Sequence, residues 1–143
     1  MAIINKRARY EYSLTEEKVE AGISLSGGEA KAIREGHADL SQSVARIMEG
    51  EVYLINANIP VVGAKNYLST RSRKLLLHKE EIVSISTKAK QQKLTLVPTK
   101  MYTKGRLVKL KFALGSPKRQ FEKKEFLKNK DIQRELEQEL KGN

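Results

Sequence analysis

The chain carries only two imidazoles, His37 and His78, and they stand far apart. His37-Ala38-Asp39 lacks the spacing of a metal site, and no third ligand accompanies it. With no cysteine there is neither a thiolate metal site nor a disulfide, as fits a cytoplasmic protein. The carboxylates are scattered and mostly sit beside Lys or Arg. Gly27-Gly28 alone is too little for a phosphate-binding loop, and no nucleophile–base pair can be argued. The expectation is a non-enzyme with no cofactor, no metal and no catalytic residue. What these residue types can do is hold anions. Arg71, Arg73 and Lys74 precede Leu75-Leu76-Leu77, and Lys79 follows it. Lys109 and Lys111 form a second basic line, and each phosphate that such groups neutralise releases counterions. Tyr67 and Tyr102 lie near these charges and can either stack on unpaired bases or cap a core.

The charge is unevenly placed. Of 28 basic and 17 acidic side chains among 143 residues, positions 60–111 hold thirteen and two, a surplus equal to the net +11 of the whole chain. A concentrated basic field points to a polyanion, most often a nucleic acid. No apolar run approaches the ~18 residues of a membrane span, and the first twenty residues are too charged for a secretory signal, so no membrane partner is expected.

These side chains need a scaffold, and the hydrophobic pattern outlines one. Tyr10, Tyr12 and Leu14 alternate with polar residues as in a strand, Thr15–Lys18 reads as one helical turn, and Val19–Leu25 as a second strand. Residues 3–9 are a basic lead-in that reads equally as a disordered arm. Ser26-Gly27-Gly28-Glu29 is a capping box opening a short helix, with Ala30 and Ile33 facing inward, that Gly36 ends. Ser43–Met48 and Val52–Ile55 form a hairpin, and a loop runs from Ile59 to about Thr70. Leu75–Leu77 is a short buried strand and Lys79–Lys93 a helix. Leu94–Tyr102 and Leu107–Leu114 make a last hairpin whose outer face carries Lys109 and Lys111. Gly115-Ser116-Pro117 breaks the pattern. Beyond it, Ile132, Leu136 and Leu140 make a stripe too narrow to anchor a helix, so a tail is expected that is weakly helical alone and orders against a partner. The predicted fold class is mainly β, a small closed barrel of six or seven antiparallel strands with about three short helices. Residues 1–115 form the binding body and 116–143 the basic tail.

A family resemblance lies on the same residues. Glu20 to Arg34 fit E-A-G-I-x-L-x-G-x-E-x-K-x-[IL]-R, which resembles the signature of the SsrA-binding protein (SmpB) family, the tmRNA-binding proteins of trans-translation. The likeness continues through Arg71–Lys79, Leu94–Pro98 and the basic tail. It implies a barrel related to the oligonucleotide-binding fold that clasps the tRNA-like domain of tmRNA. Family RNA-binding positions match Glu20, Leu76 and Lys109. The full RNA-binding set expected is Asn5, Lys6, Arg7, Arg9, Glu20, Lys31, Arg34, Arg71, Arg73, Lys74, Leu76 and Lys109. A carboxylate beside phosphates is costly unless it accepts from a base amine, a 2′-hydroxyl or an arginine, so Glu20 is expected to orient Lys31 or Arg34 as much as to touch RNA.

The tail, by the same resemblance, enters the decoding site of the small ribosomal subunit. Its aromatic-D-K-R element matches Phe121-Glu122-Lys123-Lys124, with Phe121 stacking on RNA or packing on the body. Lys124 stands where the family has Arg and loses a bidentate fork; Pro117 stands where Gly is usual, and the 60–70 loop is shorter than usual. The partners implied are tmRNA, the ribosome and, through alanyl-tmRNA, elongation factor Tu, for a monomer in the cytoplasm. Two other readings stay open on the residues alone: an oligonucleotide-binding-fold protein acting elsewhere in translation, and an RNA-processing enzyme.

Overall fold

The period of two that marks the strands in sequence becomes a sheet that closes on itself. The computed structural model describes the backbone of residues 2–141, with side chains to residue 138. Among the described residues there are seven strands: β1 (Ala2–Ile4), β2 (Tyr12–Ile23), β3 (Val44–Met48), β4 (Glu51–Ile55), β5 (Arg73–Leu76), β6 (Thr95–Lys104) and β7 (Leu107–Pro117). All pairings are antiparallel, in the order β1-β6-β3-β4-β5-β2-β7, and β7 pairs back onto β6. Six strands therefore form a ring, with β1 laid along the free part of one β6 edge. Closure removes the exposed edges that an open sheet would present. Four helices accompany the ring: α1 (Ala8–Glu11), α2 (Gly27–Arg34), α3 (Lys79–Gln92) and α4 (Gln120–Lys141). The mainly β barrel expected from the sequence is the observed class.

The core is one cluster. Val52, Leu54, Leu75, Met101, Leu110 and Phe112 point inward from the strands and are fully buried. Ile33 of α2, Ile82 and Ile85 of α3, and Leu40 and Ile59 from loops join them. The β3–β4 hairpin turns on Glu49-Gly50, both with positive φ (52° and 77°), the pattern of a tight primed turn that suits twisted strands. α2 has the capping box foreseen: Ser26 accepts from the Glu29 N–H while Glu29 accepts from the Ser26 N–H. At its other end Gly36 (φ 79°) allows the His37 and Gly36 N–H groups to bond back to the Ala32 and Ile33 carbonyls.

Several local readings are corrected. Thr15–Lys18 is not a helical turn. It lies within β2, where the register against β7 shifts between Leu14 and Lys18, and the Thr15 hydroxyl accepts from the Glu17 N–H inside this bulge. Tyr10 belongs to α1, not to a strand, and the 3–9 lead-in is no loose arm. β1 pairs with β6, and the buried Asn5 donates from Nδ2 to the Pro98 carbonyl (2.8 Å) while its Oδ1 accepts from the Arg7 N–H. Pro98 has no N–H to give and sits where β6 shifts register, so its carbonyl is available for Asn5. β7 continues to Pro117, because Ser116 and Pro117 pair with Ser13 and Tyr12. In α2 the buried side chains are Glu29, Ala32 and Ile33, with Ala30 only half-buried. The triple leucine alternates: Leu75 points in, whereas Leu76 points out and is 55% exposed.

The stretch read as a weak helix is one continuous helix, α4. Its first turns rest on α1: the Phe126 and Tyr10 rings lie 6.4 Å apart, and Lys123 Nζ is 3.3 Å from Glu11 Oε2. Ile132 and Leu136 are exposed, and Leu140, the third member of their stripe, lies outside the described side chains.

Candidate nucleic-acid interface

Strand register assembles one face of the barrel. Gly22 of β2 pairs with Leu76 of β5 on one edge and Lys109 of β7 on the other, and Lys109 pairs with Tyr102 of β6. The outward row is therefore Leu76, Gly22, Lys109, Tyr102. The neighbouring row is Glu20, Lys111, Lys100. Lys104 extends the same face along β6. Lys109 and Lys111 alternate with the buried Val108, Leu110 and Phe112, which fixes them on the outside. Glu20, Leu76 and Lys109, far apart in sequence, thus meet on one surface.

The polar contacts give this face a centre. The Tyr102 hydroxyl donates to Glu20 Oε2, and Lys104 Nζ stands 3.9 Å from Glu20 Oε1. The ammonium groups of Lys100 and Lys111 lie 5.2 and 5.6 Å from the Tyr102 ring centroid, within cation–π range. The Tyr102 hydrogen bond, helped by Lys104, Lys111 and Lys109, holds the Glu20 carboxyl below its ordinary value. Desolvation and the bond to Glu20 push the Tyr102 phenol up to about 12. Glu20 is thus a fixed anion in a lysine field. It does not orient Lys31 or Arg34, contrary to expectation. Lys31 is exposed on α2, and Arg34 Nη2 donates to the Arg106 carbonyl (2.8 Å) at the β6–β7 turn.

Beside this face a cleft of about 510 Å³ opens between the N-terminal segment and the β2 bulge. Lys6, Arg9, Lys18, Lys100 and Lys111 line it against the single carboxylate of Glu16. Lys6 and Arg9 therefore join the basic face. Asn5 does not: it is buried and its amide is spent on Pro98 and Arg7. Arg7 pairs with Glu11 (2.5 Å) and lines a different cleft, between α3 and the β3–β4 hairpin.

Arg73 is the clearest correction. Its side chain is fully buried, and a guanidinium with no exposure cannot reach a phosphate. Nε and Nη2 donate to Glu29 Oε2 at 2.9 and 2.6 Å, Nη1 donates to the Ala57 carbonyl and Nη2 also to Ser69. Arg71 donates to the same carboxylate, from Nε at 3.0 Å and from Nη2 to Oε1. The Tyr67 hydroxyl lies 2.8 Å from Glu29 Oε2 and 2.7 Å from the Ile59 carbonyl, so Tyr67 is tied inward and not offered for stacking. Burial alone would push the Glu29 carboxyl up. Hydrogen bonds from Arg71, the Ser26 N–H, Arg73 and Tyr67 outweigh it and hold the group at about 2. Lys74 is exposed and 3.7 Å from Glu51, on the same side of β5 as Leu76.

In the tail, Phe121 is 58% exposed and Lys124 points to solvent, while Glu122 accepts from the Arg119 N–H and Lys123 is held by Glu11. His37 is exposed and 3.8 Å from Glu35. Among the described residues no group of three or more acidic or imidazole side chains could hold a metal, and no helix is long and apolar enough to cross a membrane. Sequence reasoning left out Lys18, Lys100 and Lys104, and it named Lys111 as part of a basic line with Lys109 without placing it in the expected set. The alternation Lys100, Tyr102, Lys104 along one strand was the available signal.

A family model described as SmpB protein matches residues 2–142 of the chain. Proteins called SsrA-binding protein are 42% identical over 140 residues in Rubrobacter xylanophilus, covering 96% of this chain and 93% of that one. In Thermosipho africanus the figure is 43% over 143 residues, covering 97% and 95%. The chain belongs to the SmpB family. A solved SmpB-family chain, from a structure described as "tmRNA-SmpB: a journey to the center of the bacterial ribosome", superposes with a TM-score of 0.67 at 40% identity, covering 83% of this chain and 85% of that one. SmpB relatives are thus named as binding proteins. The family model spans residues 2–142, so barrel and tail both fall within it.

Proposed function

We propose that the chain is the tmRNA-binding adaptor of trans-translation. The barrel holds the tRNA-like domain of tmRNA, and the chain delivers alanyl-tmRNA, with elongation factor Tu engaged through that RNA, to ribosomes stalled without a stop codon. The tail takes the small-subunit decoding site through Phe121, Glu122, Lys123 and Lys124 and continues into the messenger channel. The protein works as a cytoplasmic monomer and supplies no chemistry of its own. The observation that carries this reading is the meeting of Glu20, Leu76 and Lys109 in two adjacent outward rows, inside a field of lysines. Lys6, Arg9, Lys31, Arg34 and Lys74 extend the contact area around them, and Arg71 and Arg73 support it from within by holding the 57–72 loop.

The test compares tmRNA's tRNA-like domain with an ordinary tRNA in a gel shift. Preference for the tRNA-like domain, weakened by Lys109→Ala by about 1–3 kcal/mol, is expected. Removing residues 118–143 should leave that binding intact and abolish peptide tagging on stalled ribosomes. Equal binding of both RNAs would overturn the assignment.

A further inference from the structure

Gly22 sits in the middle of the outward row, between Leu76 and Lys109. Gly22 is the one residue of β2 paired on both edges, where the strand passes from β7 to β5, a barrel corner of the kind that also takes glycine. Its φ is not positive, and the register shift of β2 lies elsewhere, at Leu14–Lys18. The three atoms nearest a Cβ added at Gly22 all belong to the Leu76 side chain, at 3.4 Å (Cβ), 3.5 Å (Cδ1) and 3.8 Å (Cγ), which is ordinary contact with a residue itself half in solvent. Gly115, in the same sheet, is a different case. A Cβ there would stand 2.8 Å from Leu14 Cδ2 and 3.0 Å from the Ser13 carbonyl, so the fold itself excludes one. Glycine inside a strand weakens it and, where no bulge is present, marks a bend at a barrel corner or a place where another backbone or a ligand comes close.

The surroundings say what comes close. One wall of the bare position is apolar, Leu76; the other is the Lys109 stem and ammonium. Glu20, two residues back on the same face, has Oε2 occupied by the Tyr102 hydroxyl, while Oε1 faces the Lys104 ammonium at 3.9 Å, beyond hydrogen-bond length, and keeps its acceptor capacity. An apolar floor with an acceptor at one side suits a nucleoside, whose flat face needs a surface free of side chain and whose exocyclic amine or 2′-hydroxyl needs an acceptor. We propose that Gly22 is the floor of a seat for one unpaired nucleotide of the bound RNA, walled by Leu76 and Lys109, with Glu20 Oε1 accepting from it. This rests on the reading of the face as the tmRNA interface, and it makes Gly22 a positioning residue that contributes by lacking a side chain.

The experiment measures Gly22→Ala and Lys109→Ala side by side, in the full chain, by anisotropy with the tRNA-like domain of tmRNA over a range of salt, together with thermal melting. Gly22→Ala should melt at or above the native temperature and bind about tenfold more weakly, the low end of what one methyl group is worth in a fitted pocket. Its salt dependence should be unchanged, because no phosphate contact is lost, whereas Lys109→Ala should bind more weakly with a shallower salt slope. If Gly22→Ala binds like the native chain while Lys109→Ala is weakened, the seat is refuted and the interface stands. Native binding by both variants removes the interface as well. If Gly22→Ala melts lower, Leu76→Ala is compared with Leu76→Ala/Gly22→Ala, which removes the side chain the new methyl would touch. A double variant about tenfold weaker than the single one upholds the proposal; equal binding shows the glycine to be structural and sinks it.

Discussion

Replacing Glu29 by glutamine probes the one place where the sequence reading put a binding arginine on the surface and the structure holds it inside. Glu29 is fully buried and receives both arginines, Tyr67 and the Ser26 N–H. Its carboxyl is held at about 2, against an ordinary 4.5. That difference corresponds to roughly 3 kcal/mol of folding stability at neutral pH. Removing one partner of a buried ion pair typically costs about 3–5 kcal/mol, so the two routes agree in size. The folded-state value is the lower one, so the stabilisation is complete above the unfolded value of 4.5 and disappears as pH falls towards 2. By pH 3 roughly 2 kcal/mol of it should be gone. Glu29→Gln does not titrate there, so its deficit against the native chain should shrink over the same window. Urea unfolding of both proteins at pH 7 and pH 3 measures this directly. A deficit below about 0.5 kcal/mol at pH 7, within the range of ordinary surface substitutions, would refute the reasoning, as would a deficit that stays constant with acid.

Two further substitutions test smaller contacts. Tyr102→Phe removes the hydroxyl that holds Glu20, so the Glu20 carboxyl should titrate at higher pH in an NMR titration of its side-chain carbon, and an unchanged titration would mean that the lysines alone set it. Phe126→Ala removes the ring that lies 6.4 Å from Tyr10 and under the Lys118 ammonium at 4.0 Å. An aromatic pair is worth about 0.5–1.5 kcal/mol, so α4 should be cut faster by protease while the barrel melts as before; unaltered cleavage would show that α1 does not hold the tail.

Much of the scaffold was legible because its signals are local. The Ser26–Glu29 capping box, the Gly36 stop, the β3–β4 hairpin and the alternation of β7 each need only neighbours in sequence. What was not legible depends on pairing between distant segments. Thr15–Lys18 has helix-like composition, yet β7 recruits it as a strand and absorbs the mismatch as a bulge. Arg73 carries the same charge as Lys74 beside it. Only the register of β5 against β4 and β2 decides that one faces the core and the other solvent. Glu29 looked like a helix cap and is one, but its second oxygen serves two guanidiniums more than forty residues away in sequence.

The sorting of arginine from lysine bounds the electrostatics of binding. The guanidiniums of Arg71 and Arg73 are planar, weakly hydrated forks, suited to a buried carboxylate, and the fold uses them there. Glutamates from other segments also draw on the basic stretch: Glu51 pairs with Lys74, Glu17 with Lys88 and Glu20 with Lys104. The charge count along the chain therefore overstates what the face can offer. Lys6, Arg9, Lys18, Lys100, Lys109 and Lys111 are the cations of the face and its cleft that make no ion pair among the described residues. If these six carry the phosphate contacts, the logarithm of affinity for the tRNA-like domain should fall with the logarithm of salt concentration at a slope no steeper than about −5. A measured slope well beyond that limit would show that cations outside these six bind the same RNA, either Lys31, Arg34 and Lys74 around the face or those of α4. A slope near zero would show that the lysines do not meet phosphates at all.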